Sequence, residues 1–120
     1  MSDTNNLVIS IDAMGGDNSP RVVIEGLALA VKKNPDAKFL LFGDKDKISA
    51  HLKNYPSLQE VCEIRHSDEV VSNEDKPSQV IRNRNTSMHM AIDAVKNGEA
   101  QAVVSAGNTG ALMAISKLVL

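Results

Sequence analysis

Short β-branched runs alternate with segments of helical period along this chain, and that alternation restricts the fold more than any other feature of the sequence. Leu7-Val-Ile-Ser-Ile11, Ala37-Lys-Phe-Leu-Leu-Phe42, Val61-Cys-Glu-Ile-Arg65 and Ala102-Val-Val104 read as strands. Between them, Val23, Leu27, Ala30 and Val31 recur at helical spacing, and Ile48 and Leu52 suggest a short helix before Pro56. Met88, Ala91, Ile92 and Val95 stand at i, i+3, i+4 and i+7, a pattern closed by Lys96-Asn97-Gly98 with Gly98 in the left-handed position after the helix. Alternating strands and helices imply parallel strands joined by right-handed crossovers, so the expected class is α/β with a mostly parallel sheet.

Local signals refine this outline. Ser19 reads as the cap of the first helix, with Pro20 at its first position. Ser67 to Ser78 is polar and carries Pro77, which predicts a surface loop with a helix inside it from about Ser78 to Arg82. Residues 1–6 are polar and expected to be disordered, and residues 7–120 form one unit. Ala111-Leu-Met-Ala-Ile115 opens a last helix that reaches Leu118-Val-Leu120 without a Gly, Asn or Pro to stop it, which reads as a fragment of a longer protein.

Composition excludes several functions. The 120 residues include two Phe, one Tyr and no Trp, so the core is aliphatic and no aromatic platform exists for stacking nucleic-acid bases. Thirteen Lys and Arg against 15 Asp and Glu give a net charge of −2, without the positive field of a duplex binder. Nucleic acid is therefore not an expected partner, and any anion must be held locally. The single cysteine, Cys62, forms no internal disulfide and suits a reducing compartment. The N-terminus lacks the basic and apolar regions of a signal peptide, and no apolar run approaches the roughly 20 residues of a membrane span. The expected location is the cytoplasm, with peripheral membrane contact of a longer protein left open.

In an open parallel sheet, ligands bind beyond the carboxyl ends of the strands, which directs attention to the loops there. Asp12-Ala-Met-Gly-Gly-Asp17 follows the first strand, and Gly15 and Gly16 would let backbone N–H groups approach an oxyanion. It matches neither the Walker nor the dinucleotide fingerprint, and it reads equally as a tight turn without a ligand. Asp12 and Asp17 would repel phosphate unless a cation or proton intervened. Ser105-Ala-Gly-Asn-Thr-Gly110 joins a strand to a helix and aims free helix N–H groups outward, with Asn108 or Thr109 as the natural cap. Lys76, Arg82 and Arg84 make a local positive patch, and Arg84 precedes Thr86-Ser87 at a helix start, where guanidinium, hydroxyl and N–H donors could converge on one phosphate. The same patch also fits a solvated basic surface with Thr86 as an ordinary cap.

The remaining candidates read as structural. Cys62 in mid-strand is a small buried hydrophobe, and Met88, Met90 and Met113 are core filler. His51, His66 and His89 show no metal spacing, and His89 falls on the polar side of its helix. No metal or cofactor is expected. His66-Ser67-Asp68 carries triad letters, but adjacent residues point in different directions.

Three ordered motifs together resemble the bacterial phosphate acyltransferase family: Ile11-Asp-Ala-Met-Gly-Gly-Asp17, Pro77-Ser-Gln-Val-Ile-Arg82 with Arg84 and Ser87-Met88, and Val104-Ser-Ala-Gly-Asn-Thr-Gly-Ala-Leu-Met113. The resemblance runs from Leu7 onward, with Thr86 where the family usually carries a serine. It implies a three-layer α/β/α fold like that of the isocitrate and isopropylmalate dehydrogenases, assembled as a homodimer. It implies transfer of a fatty acyl group from acyl carrier protein to inorganic phosphate, giving acyl phosphate for phospholipid synthesis. On that reading Arg84, Ser87 and Asn108 act in catalysis. Asp12, Gly15, Gly16, Asp17, Arg82, Thr86, Ser105, Gly107, Thr109 and Gly110 bind substrate. Alternatives are a phosphotransacetylase-type enzyme using acyl-coenzyme A and a noncatalytic phosphate- or nucleotide-binding module.

Overall fold

Successive residues of a strand point to opposite faces, and here both faces are apolar, so the sheet needs helices on both sides. The computed structural model describes residues 7–120, and the disorder expected of residues 1–6 lies outside the described residues. The elements run β1 (Val8–Asp12), α1 (Arg21–Lys33), β2 (Lys38–Gly43), α2 (Lys45–Leu52), α3 (Pro56–Gln59), β3 (Cys62–His66), α4 (Pro77–Val80), α5 (Ser87–Lys96), β4 (Ala102–Val104) and α6 (Thr109–Val119). All four strands are parallel, in the order β3-β2-β1-β4, with Ile9 in register with Phe39 on one side and Ala102 on the other.

Strand β2 shows the two-faced pattern directly. Phe39 and Leu41 join Ile11, Ile24, Leu27, Ile48 and Leu58 under α1, α2 and α3. Leu40 and Phe42 join Ala91, Ala94 and Ala100 under α5. A third cluster of Met88, Ile92, Ala111 and Ile115 packs α5 against α6. Helix α5 is also tied to the sheet by Ser10, whose buried hydroxyl donates to the Ala91 carbonyl at 2.7 Å. Leu41, Ile24 and Ile48 are fully buried, each worth about 1.5–3 kcal/mol relative to exposure. The result is the expected three-layer α/β/α architecture.

Several local expectations need correction. Ser19 does not cap α1; its hydroxyl donates back to the Gly15 carbonyl, and Pro20 is the cap residue without a side-chain bond. Pro56 does not merely end a helix, since it opens the short α3, where its missing N–H costs no hydrogen bond. The inserted helix runs Pro77–Val80 rather than from Ser78 to Arg82, for the same reason. The segment from Ser67 to Ser78 is not all surface, because Ser67 and Val71 are buried. The Ser67 hydroxyl donates to the Asn85 carbonyl at 2.6 Å, and the Ser87 N–H donates to the Glu69 carbonyl at 2.9 Å, together fixing the start of α5. Met88 is core, but Met113 is 69% exposed and fills none. Among the described residues no helix is long and apolar enough to cross a membrane.

The strand order matters most for the site. From β1 the chain moves outward to β2 and β3, then returns to lay β4 on the other side of β1. The gap between the carboxyl ends of β1 and β4 is therefore the topological switch point, the place where loops diverge and leave a crevice.

Candidate functional site

Asp12 ends β1 at the switch point and is 2% exposed. A buried carboxylate needs donors, and three reach it. The Ser87 hydroxyl donates to Oδ1 at 2.6 Å, the Met14 N–H donates to Oδ1 at 3.2 Å, and the Ser105 hydroxyl donates to Oδ2 at 2.9 Å. Ser87 comes from the first turn of α5 and Ser105 from the loop after β4, so one carboxylate joins three separated segments. Both serine protons are committed to Asp12. The Ser105 oxygen also accepts the Gly107 N–H at 3.1 Å, which leaves it one lone pair for a further donor. Ser87 is fully buried and reaches any substrate only through Asp12, whereas Ser105 is half-buried.

The two glycines of the first loop are demanded by this arrangement. A Cβ on Gly15 would lie 2.8 Å from Asp12 Oδ2 and 2.9 Å from both the Gly107 nitrogen and Ser105 Oγ. Gly16 has a φ of 86° in the left-handed region, where a side chain would also crowd the Ala106 carbonyl at 3.0 Å. The loops after β1 and β4 thus touch backbone to backbone. Gly107 shares that contact, its own Cβ position lying 3.3 Å from the Gly15 Cα.

Asn108 caps α6, accepting the Ala111 N–H at 3.0 Å, while its amide donates to the Ser72 and Asp75 carbonyls at 3.1 and 2.9 Å. The cap takes the Ala111 amide, and the Asn108 carbonyl takes that of Leu112. The Thr109 and Gly110 amides have no partner among the described residues and remain as the donors of a helix N-terminus. Thr86 is the cap of α5, accepting the His89 N–H at 3.1 Å.

The remaining expected site residues are not drawn together. Asp17 and Arg82 are exposed and make no side-chain hydrogen bond with another described residue. Arg84 lies in a cleft with His89, Asp93 and Lys96. His89 follows Ser87 by two residues, about 200° around α5, so that cleft opens on the other side of the helix from Asp12. The structure therefore gathers Asp12, Gly15, Gly16, Ser87, Ser105 and Gly107, places Thr109 and Gly110 further along the same loop at the start of α6, and leaves the arginines outside.

The side chains read as structural divide as well. Burial pushes the Cys62 thiol up to about 11, a poor nucleophile at neutral pH. His66 does pair with Asp68, Nε2 to Oδ1 at 2.6 Å, and its Nδ1 accepts the Lys45 N–H at 3.1 Å. Ser67 points away from both, so no triad forms. His89 is not on a polar face: it is 1% exposed, and neither ring nitrogen has a hydrogen bond. The helical pattern missed this because residues from outside α5, Ile81, Leu118 and Val119, lie around the ring. Among the described residues no three His, Cys, Asp or Glu side chains form a metal-binding group.

A family model described as "Fatty acid synthesis protein" matches residues 7–120. The chain belongs to this family. It is 52% identical over 118 residues to a phosphate acyltransferase of Rhodospirillum rubrum, covering 98% of this chain and 34% of that relative. It is 53% identical over 119 residues to a phosphate acyltransferase of Parvibaculum lavamentivorans, covering 98% and 33%. A phosphate acyltransferase of Caulobacter vibrioides is 50% identical over 118 residues, covering 98% and 33%. The chain thus spans about a third of the length of these relatives. The residues that sequence reasoning undervalued are Asp12, the centre of the hydrogen-bond cluster, and His89. For Asp12 the available signal was its place at the end of the first strand. For His89 there was none, because its burial depends on packing between helices.

Proposed function

We propose that the full-length protein transfers a fatty acyl group from an acyl-carrier-protein thioester to inorganic phosphate at the β1–β4 switch point. One observation carries this reading: Asp12 holds both Ser87 and Ser105 by their protons, and so fixes the open Ser105 oxygen at the head of the loop that leads to the free amides of α6. The charge on Asp12 is spent on its three donors, which reduces its repulsion of a phosphate across the crevice. Ser105, unable to give its proton, accepts a hydrogen bond from a P–OH group. The Thr109 and Gly110 amides receive the anionic oxygens at the positive end of the helix. Gly15 and Gly16 keep the wall low enough for the thioester to approach.

Phosphate is itself the nucleophile. One of its oxygens forms a bond to the thioester carbon, the C–S bond then breaks, and the carrier thiol leaves with a proton, giving acyl phosphate. No side chain need be acylated, in keeping with the raised pKa of Cys62. The gain comes from orientation and from preorganised donors near the developing oxyanion. Activity as a homodimer, in the cytoplasm with peripheral membrane contact, belongs to the same proposal.

The test is acyl phosphate formation by the full-length protein, comparing long-chain acyl carrier protein with acetyl-coenzyme A. Turnover of the former should dominate. Ser105→Ala should raise the KM for phosphate, and Ser87→Ala should lower kcat through a loosened Asp12. Equal kinetics in wild type and both variants would remove the cluster from the reaction, and preference for acetyl-coenzyme A would move the enzyme to the phosphotransacetylase type.

A further inference from the structure

His89 is an anomaly that the switch-point site does not explain. Its ring is 1% exposed and both nitrogens lack hydrogen-bond partners. The Asp93 carboxylate, one turn along α5, stands 3.5 Å from Nε2. A neutral imidazole has one donor and one acceptor, and a carboxylate can serve only the donor. A buried acceptor nitrogen without a partner is costly, and such groups in folded proteins call for an explanation.

The ring lines a cleft of about 360 Å³ that also receives Arg84, Lys96 and Asn97. Neither Arg84 nor Lys96 makes an ion pair or a side-chain hydrogen bond among the described residues. Two free cations, one carboxylate, Asp93, and an orphaned imidazole thus share one cavity, a net positive site. Ile81, Leu118 and Val119 form its apolar wall.

We propose that this cleft is a second anion site, built for phosphate, either as the free ion or as the end group of a small ester. Arg84 supplies the planar fork that matches phosphate oxygens, and Lys96 supplies a point charge. Phosphate is favoured over a carboxylate or sulfate by the need of His89. Its second ionisation lies near neutrality, so it can bring a proton to the unpartnered ring nitrogen while its other oxygens face the cations. The volume leaves room beyond a bare phosphate, and the Leu118–Val119 wall suits a small organic substituent. Burial, with the Arg84 charge, holds His89 below the ordinary histidine range, opposed by Asp93. Ile81, just after α4, and Leu118 and Val119 of α6 are the apolar groups of the cleft, so Arg84, Lys96, Asp93 and the bound anion govern its proton. Binding of a dianion therefore draws a proton onto the ring.

The inference does not depend on the acyl-transfer reading, because the two sites lie on different sides of α5. The test uses the full-length protein with ¹⁵N-labelled imidazoles, the His89 signal being assigned by its loss in His89→Gln. Inorganic phosphate should move that signal in wild type and in Ser105→Ala, with sulfate binding more weakly. In Arg84→Gln/Lys96→Gln, two exposed positions, phosphate should bind there at least about tenfold more weakly, the scale of one lost charge-assisted contact. Methyl phosphate in place of the free ion distinguishes the sources: tighter binding assigns an ester, weaker binding the free ion. A His89 signal that ignores phosphate, or responds equally in the double variant, would overturn the proposal. A response abolished by Ser105→Ala would also overturn it, by assigning the effect to the switch-point site.

Discussion

Replacing Gly15 by alanine tests the packing of the switch point with one added methyl group. That methyl would meet Asp12 Oδ2 at 2.8 Å and the Gly107 nitrogen and Ser105 Oγ at 2.9 Å. Comfortable contact requires a retreat of about half an ångström from each. None of the three can give alone, since Ser105 Oγ is bonded both to Asp12 Oδ2 at 2.9 Å and to the Gly107 N–H at 3.1 Å. The strain falls in the overpacking range, about 1–3 kcal/mol. A displacement of Ser105 on this scale should also cost about tenfold to a hundredfold in turnover. Gly26→Ala is the control: Gly26 is exposed within α1, and nothing lies within 4 Å of its Cβ position. It should stabilise the helix by about 0.5–1 kcal/mol. Urea unfolding and initial rates of acyl phosphate formation, both in the full-length protein, measure the two effects. Wild-type midpoint and rate in Gly15→Ala would refute the packing argument, as would equal damage from Gly26→Ala.

Asn108→Ala removes a helix cap and two bonds to the 72–75 turn, so it should cost about 2–3 kcal/mol in unfolding free energy. Hydrogen exchange should accelerate at the start of α6. The folded-state pKa of His89 is lowered, so the unfolded chain binds the extra proton first. Its contribution to stability should be fully present above pH 6.5, the unfolded value, and decline as the pH falls from there towards the folded value. Urea midpoints across that window should change less in His89→Gln than in wild type. With its thiol pKa near 11, Cys62 should react with iodoacetamide at pH 8 about a hundredfold more slowly than a free cysteine peptide.

What was legible in the sequence was whatever local pattern decides. The runs at Ile9, Leu40 and Val103 produced strands because β-branched and apolar residues suit a sheet buried on both faces. The strand-end loops were identifiable as ligand positions from fold class alone. The strand order was not, since nothing local says that β4 returns to the side of β1, and that return brings Ser105 to Asp12 across 93 residues. Arg84 and Ser87 are close in sequence, which suggested one site, but the turn of α5 sends His89 and the Arg84 cleft away from Ser87. Asn108 reads as catalytic from its motif and as a cap from its place before α6, and the fold shows its side chain bonded to the cap and to the 72–75 turn. Asp12 looked unfavourable for an anion site when its charge was counted alone. The two serine protons that satisfy it come from segments 75 and 93 residues away, and only the fold reveals them.

The proposed reaction needs the switch-point cluster as the place where phosphate waits for the thioester. The most direct measurement is a crystal structure of the full-length protein soaked in phosphate. We expect an anion within hydrogen-bond distance of Ser105 Oγ and the Thr109 and Gly110 amides, with Asp12 still holding both serines. Crystals with a fully occupied phosphate elsewhere and no anion at these three groups would contradict it.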